Sequence, residues 1–120
     1  TDWTVPLQNK KYYLFEKQFA LKPDIVLENA RRVVILDTKW KALENNTRKN
    51  YGIAQSDMYQ MYAYAKKYKT NEIWILYPTS SETIGMKDIQ FESDDNVLVR
   101  VFFIDLSDIE GSLKELIYLF

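Results

Sequence analysis

Val33-Val34-Ile35-Leu36-Asp37-Thr38-Lys39 is the stretch from which the fold can be read. Four consecutive apolar residues, three of them β-branched, form the kind of run found in a strand buried on both faces. The segment, starting near Arg32, is therefore expected to be a central strand. It finishes on charged residues. Asp37 and Lys39 are two positions apart, and the strand period of two sets both side chains on one face of the sheet. An acid and an amine at the end of a buried strand can meet one substrate. Taken alone, such an Asp-x-Lys is more often a solvated edge or a salt bridge, so its surroundings decide its meaning.

Upstream, Pro23-Asp24 leads into the short run Ile25-Val26-Leu27, closed by Glu28, Asn29 and Ala30, which predicts a hairpin with the central strand. Its short turn folds Asp24, at the entrance of the first arm, back towards Asp37 at the exit of the second. Two converging aspartates repel each other unless a cation lies between them, and hard oxygen ligands of this kind suit Mg2+ or Mn2+. Such an ion binds a phosphate oxygen and lowers the pKa of a bound water, while an adjacent ammonium stabilises charge building up on phosphorus. Lys39 is placed for that role. Earlier still, Tyr12, Leu14 and Phe19 predict a strand within 11–19, with Glu16 inside it. Residues 1–10 read as an irregular lead-in, and because Thr1 is not an initiator methionine the chain is expected to be a piece of a longer protein.

Downstream, the polar segment 43–52, with Asn45, Asn46, Thr47, Asn50 and Gly52, reads as a loop. Ser56 is a candidate cap for a helix over 54–68, in which Met58, Met61, Tyr62 and Ala65 recur at helical spacing. Residues 72–77 form a further buried strand through Ile73, Trp74, Ile75 and Leu76, ended by Pro78. Residues 89–91 and 97–104 read as a hairpin around the acidic turn 93–96. Ser107 is a candidate cap for a last helix with Ile109, Leu113, Leu116 and Ile117 on one face and Phe120 at its end. The expected architecture is α/β: one domain over 1–120, with a mixed central sheet flanked by helices, a core at 11–78 and a C-terminal hairpin and helix at 79–120.

Composition narrows the chemistry. A chain of 120 residues that is 47% hydrophobic and 28% charged is expected to be one globular domain. No apolar run reaches the length of a membrane span, and no signal-peptide pattern opens the chain. It has neither cysteine nor histidine, which removes disulfides, thiolate zinc sites and the commonest general base. Carboxylates, lysine and tyrosine must carry any reaction, and a reducing, cytoplasmic setting is the expectation. The net charge of −1 hides an asymmetry: residues 1–69 hold 13 Lys and Arg against 7 Asp and Glu, whereas residues 70–120 hold 3 against 10. The basic part, which contains the candidate site, suits a phosphate backbone, and the acidic part suits solvent or a basic partner.

Pro23-Asp24 followed by Asp37-Thr38-Lys39 resembles the PD-(D/E)xK nuclease signature, and Gln60-Met61-Tyr62-Ala63-Tyr64 resembles the Gln-x-x-x-Tyr motif of its RecB-like branch. More closely, residues 21–27, 35–41 and 57–64 resemble the nuclease domain of the McrC family, the cleaving subunits of restriction systems directed at 5-methylcytosine DNA. The likeness spans roughly residues 21–77. It implies a restriction-endonuclease-like core, with Asp24, Asp37 and the Thr38 carbonyl holding Mg2+ and Lys39 orienting or activating the attacking water. Gln60 and Tyr64 would support the site and the DNA strand, Lys41, Arg48 and Lys49 would contact phosphates, and a McrB-like AAA+ GTPase would be the partner. Many PD-(D/E)xK nucleases add a metal-binding Glu from a helix before the first core strand, and no such helix is visible in this sequence. The rival expectations are a non-catalytic DNA-binding or assembly domain on a degenerate nuclease fold, and a nuclease of the repair class.

Overall fold

The computed structural model describes Trp3 and residues 12–120. Seven strands and two longer helices follow in the order β1 (Tyr12–Phe15), β2 (Gln18–Leu21), β3 (Ile25–Glu28), β4 (Val33–Thr38), α1 (Gln55–Lys67), β5 (Glu72–Pro78), β6 (Ile89–Glu92), β7 (Leu98–Ile104) and α2 (Ile109–Leu119). Strands β3 to β7 form one mixed sheet in the order β3-β4-β5-β7-β6, and β1 and β2 form a separate two-stranded sheet. β4, β5 and β7 run parallel, while β3 and β6 pair antiparallel at the two edges. The apolar run 33–36 is thus an interior strand as expected, with β5 occupying the middle of the sheet.

The two faces of the sheet are separate cores, as the strand period requires. Ile35, Ile73, Ile75, Val99 and Val101 lie on one face under Met61, Tyr64 and Ala65 of α1. The spacing of those three helical residues, i, i+3 and i+4, makes a single stripe. Val34, Leu36, Trp74, Leu76 and Ile104 lie on the other face with Leu116 of α2. β1 packs against α1, and the ring of Tyr12 lies 4.3 Å from that of Tyr68 at the helix's C-terminal end.

Several local expectations are corrected. The strand expected within 11–19 is a hairpin, and Glu16 lies in its turn rather than in a strand. Lys17, in that turn, has a φ of 56°, a left-handed conformation that reverses the chain. Ser56 is inside the first turn of α1, whose cap is Ala54, without a side-chain hydrogen bond. α2 is capped by Asp108, which accepts from the Gly111 N–H, and not by Ser107. Of the apolar stripe expected on α2, only Leu116 is buried, and Ile109, Leu113 and Ile117 are exposed. The polar loop 43–52 holds a 3-10 segment, Thr47–Gly52, capped by Asn46.

Candidate active site

The site is built by the β3–β4 hairpin. Its last ladder pair sets Ile25 opposite Leu36, so the next residues outward, Asp24 and Asp37, face one another. Opposed residues of an antiparallel pair share a face, and here it is the face of Val26 and Ile35, beneath α1. Side-chain bonds replace the ladder at this point. The Asp24 N–H donates to Asp37 Oδ1 at 3.2 Å, and Asp24 Oδ2 accepts from the Thr38 N–H at 2.8 Å and from Thr38 Oγ1 at 2.6 Å. The Asp24 carboxylate therefore caps the end of β4 beside Asp37.

Asp37 is only 3% exposed. Burial pushes its pKa up and the charge of Asp24 adds to the rise, against the hydrogen bond and charge of Lys39, which pull it down. Lys39, two residues on and on the same face, places Nζ 3.0 Å from Asp37 Oδ2. That ammonium also donates to Gln60 Oε1 at 2.6 Å and lies 3.8 Å from Asp57 Oδ1. One turn beyond Gln60, Tyr64 is fully buried. Its phenol pKa is raised, first by burial and then by the negative charges of Asp37 and Asp24, so the ring lies within the field of both acids.

The structure thus gathers Asp24, Asp37, Thr38, Lys39, Gln60 and Tyr64 at one end of β4. Lys41, Arg48 and Lys49 are exposed in the segment that follows and take no part in these contacts. Two residues of the cluster were absent from the expected set. Asp57 lies one turn before Gln60 on the same side of α1, a spacing visible in Asp57-Met58-Tyr59-Gln60. Tyr77, on β5 with the parity of Ile73 and Ile75, is buried on the site's face, and its hydroxyl has no hydrogen-bond partner among the described residues.

The donor set suits Mg2+ or Mn2+, because Mg2+ is held by one or two carboxylates and completes its octahedron with water and substrate oxygens. Asp24, Asp37 and the Thr38 carbonyl are the residues that would hold it. Among the described residues no three acidic side chains gather into a ligand group, so the remaining positions would fall to water and phosphate.

The family model described as McrBC 5-methylcytosine restriction system component matches residues 1–78. The chain belongs to this McrBC family. The match ends with β5, so it contains every residue of the cluster, whereas β6, β7 and α2 of this McrBC component lie beyond it. No curated protein matches the chain. Being one component of a restriction system implies a partner subunit. Among the described residues no helix of this McrBC protein is long and apolar enough to cross a membrane.

Proposed function

We propose that the chain is the cutting module of a McrBC-type restriction complex, a Mg2+-dependent endonuclease with a PD-(D/E)xK core that hydrolyses DNA phosphodiester bonds. One observation carries the reading: Asp24 and Asp37 face each other across adjacent strands, with the Lys39 ammonium 3.0 Å from Asp37 and held by Gln60. When bound, the ion supplies charge for the phosphate and acidifies a water. The chain's own residues do the rest. Asp24 and Asp37 would hold the ion, Lys39 would orient the water and neutralise charge developing on phosphorus, and Gln60 holds the amine in place. Tyr64 keeps the floor of the site dry. Exposed Lys41, Arg48 and Lys49 are phosphate contacts, and the 74% exposed Trp40, next to Lys39, offers a surface for stacking on a base. The setting is the cytoplasm, with a McrB-like AAA+ GTPase as partner.

A second reading has its own observation. Both carboxylates are engaged by protein donors, Asp24 by Thr38 and Asp37 by Lys39, as in a self-paired scaffold that binds DNA or a partner without cutting. Cleavage of methylated DNA by the complex assembled with its GTPase separates the two. Asp37→Ala and Lys39→Ala are expected to abolish cleavage while circular dichroism stays unchanged. Wild-type rates in either variant overturn the nuclease reading, and uptake of Mn2+ unaffected by the double alanine variant of Asp24 and Asp37 favours the scaffold.

A further inference from the structure

Among the described residues, Lys39 Nζ has three polar side-chain neighbours: Gln60 Oε1 at 2.6 Å, Asp37 Oδ2 at 3.0 Å and Asp57 Oδ1 at 3.8 Å. Gln60 and Asp37 take two of the ammonium's three N–H donors, and Asp57 stands just beyond hydrogen-bond range as a waiting partner for the third. Asp57 is inward and partly buried, in the first turn of α1. It also bears on the buried Tyr77 phenol, whose pKa is raised first by burial and then by the charges of Asp57 and Asp37. Asp37 and Asp57 therefore both place a carboxylate oxygen within 4 Å of one amine, which Gln60 already holds.

This matters because Asp37 cannot serve two cations well. An ammonium resting on Oδ2 competes with a divalent ion for the same oxygen, and the two positive charges repel at that range. Lys39 has to give up Asp37 without losing its counter-charge, since an unpaired, partly buried ammonium is costly. We propose that Asp57 is the second seat of the Lys39 ammonium, receiving it from Asp37 so that both aspartates can turn their oxygens to a divalent cation. Gln60 stays bonded to the amine throughout and acts as the pivot. Asp57 is accordingly a positioning residue that acts through Lys39 and does not ligate the ion. The inference rests on the nuclease reading of the site.

Titration calorimetry of the intact chain with Mn2+ tests it. The wild type is expected to take up Mn2+ and the Asp24→Asn, Asp37→Asn double variant to lose it; failure at this step overturns the nuclease reading itself. Given that binding, Asp57→Asn weakens Mn2+ by about tenfold or more, the scale of a lost partner behind a metal ligand, and Asp57→Glu restores most of it. With Lys39→Met as background, the same Asp57→Asn change alters affinity by no more than about twofold, the scatter of independent sites. Unchanged affinity in Asp57→Asn overturns the inference while leaving the metal site standing. A full loss that persists without Lys39 also overturns it, because Asp57 then acts on the ion directly.

Discussion

Tyr64 belongs to the core and to the site at once. Its side chain is 1% exposed and packs with Met61 and Ala65 in the larger apolar cluster, while its phenol lies in the field of Asp37 and Asp24. Truncation and hydroxyl removal should therefore separate cleanly. Tyr64→Ala is expected to cost about 3–5 kcal/mol, the range for a buried aromatic cut to alanine, whereas Tyr64→Phe keeps the ring and costs much less. Urea unfolding of both variants checks this, and equal stabilities would show that the ring is not a packing element. Only Tyr64→Phe can then report on the site. At this scale the sequence was informative wherever two periods met: a spacing of two sets Asp37 and Lys39 on one face, and a helical turn sets Gln60 beside Tyr64. Asp57 escaped because an acid in a helix's first turn has a sufficient reason in the helix dipole. Tyr77 escaped because it ends an apolar run and reads as core.

The turn between β6 and β7 shows how α1 is tied to the sheet. At its C-terminal half, Tyr62 donates to Asp95 and Lys66 pairs with Asp95, in the turn between β6 and β7, where Ser93 also donates to it. Asp95 is held below the usual carboxylate range, first by the Lys66 hydrogen bond and then by those of Ser93 and Tyr62. Lys66 is raised, first by its hydrogen bond to Asp95. The signs define a window. Asp95, depressed in the folded state, adds stability above its unfolded pKa and loses it as pH falls through the folded value; Lys66, raised, adds stability below its unfolded pKa and loses it as pH rises through the folded value. Asp95→Asn is thus expected to destabilise modestly near neutral pH, less in high salt because the pair is exposed, with the difference closing at both acid and strongly alkaline pH. Urea midpoints across pH measure it, and a difference that grows towards acid pH contradicts it. At the start of α2, a Cβ on Gly111 would sit 2.2 Å from Asp108 Oδ2, the capping carboxylate. Gly111→Ala gains roughly 1 kcal/mol of helix propensity but displaces a cap of similar worth, so thermal unfolding should show little net change, while Asp108→Ala loses about 1 kcal/mol. The interior strands β4, β5 and β7 were legible because each is a dense apolar run. Helix caps were not, since Ser56 and Ser107 resemble caps as closely as Asp108 does and Ala54 does not resemble one at all. The β1–β2 hairpin was hidden because its turn, Glu16-Lys17, contains no glycine or proline and relies on a left-handed lysine.

Across the molecule, stability and the proposed chemistry oppose each other at one point. The apolar faces of β4, β5 and β7 are covered on both sides, yet the face under α1 ends in an aspartate pair that folding forces together. Burial first, with the charge of Asp24 contributing, raises the Asp37 pKa despite Lys39, so the folded chain binds a proton there more readily than the unfolded chain does. A raised folded value means that the carboxyl favours folding below its unfolded pKa and that this advantage is lost as pH rises through the folded one. At neutral pH without metal, Asp37 is therefore a burden on the fold. Asp37→Asn should melt above the wild type in the presence of a chelator, and the gain should vanish as pH falls below the ordinary carboxylate range of about 4. Added Mn2+ should reverse the ranking. A ligand that binds only the folded state stabilises it by about 2.7 kcal/mol at a hundredfold excess over Kd, which raises the wild-type melting temperature and leaves Asp37→Asn where it was. Differential scanning calorimetry with chelator and with Mn2+ reads both halves. If Asp37→Asn melts below the wild type without metal, the pair is a structural salt bridge to Lys39 and not a strained site awaiting a cation.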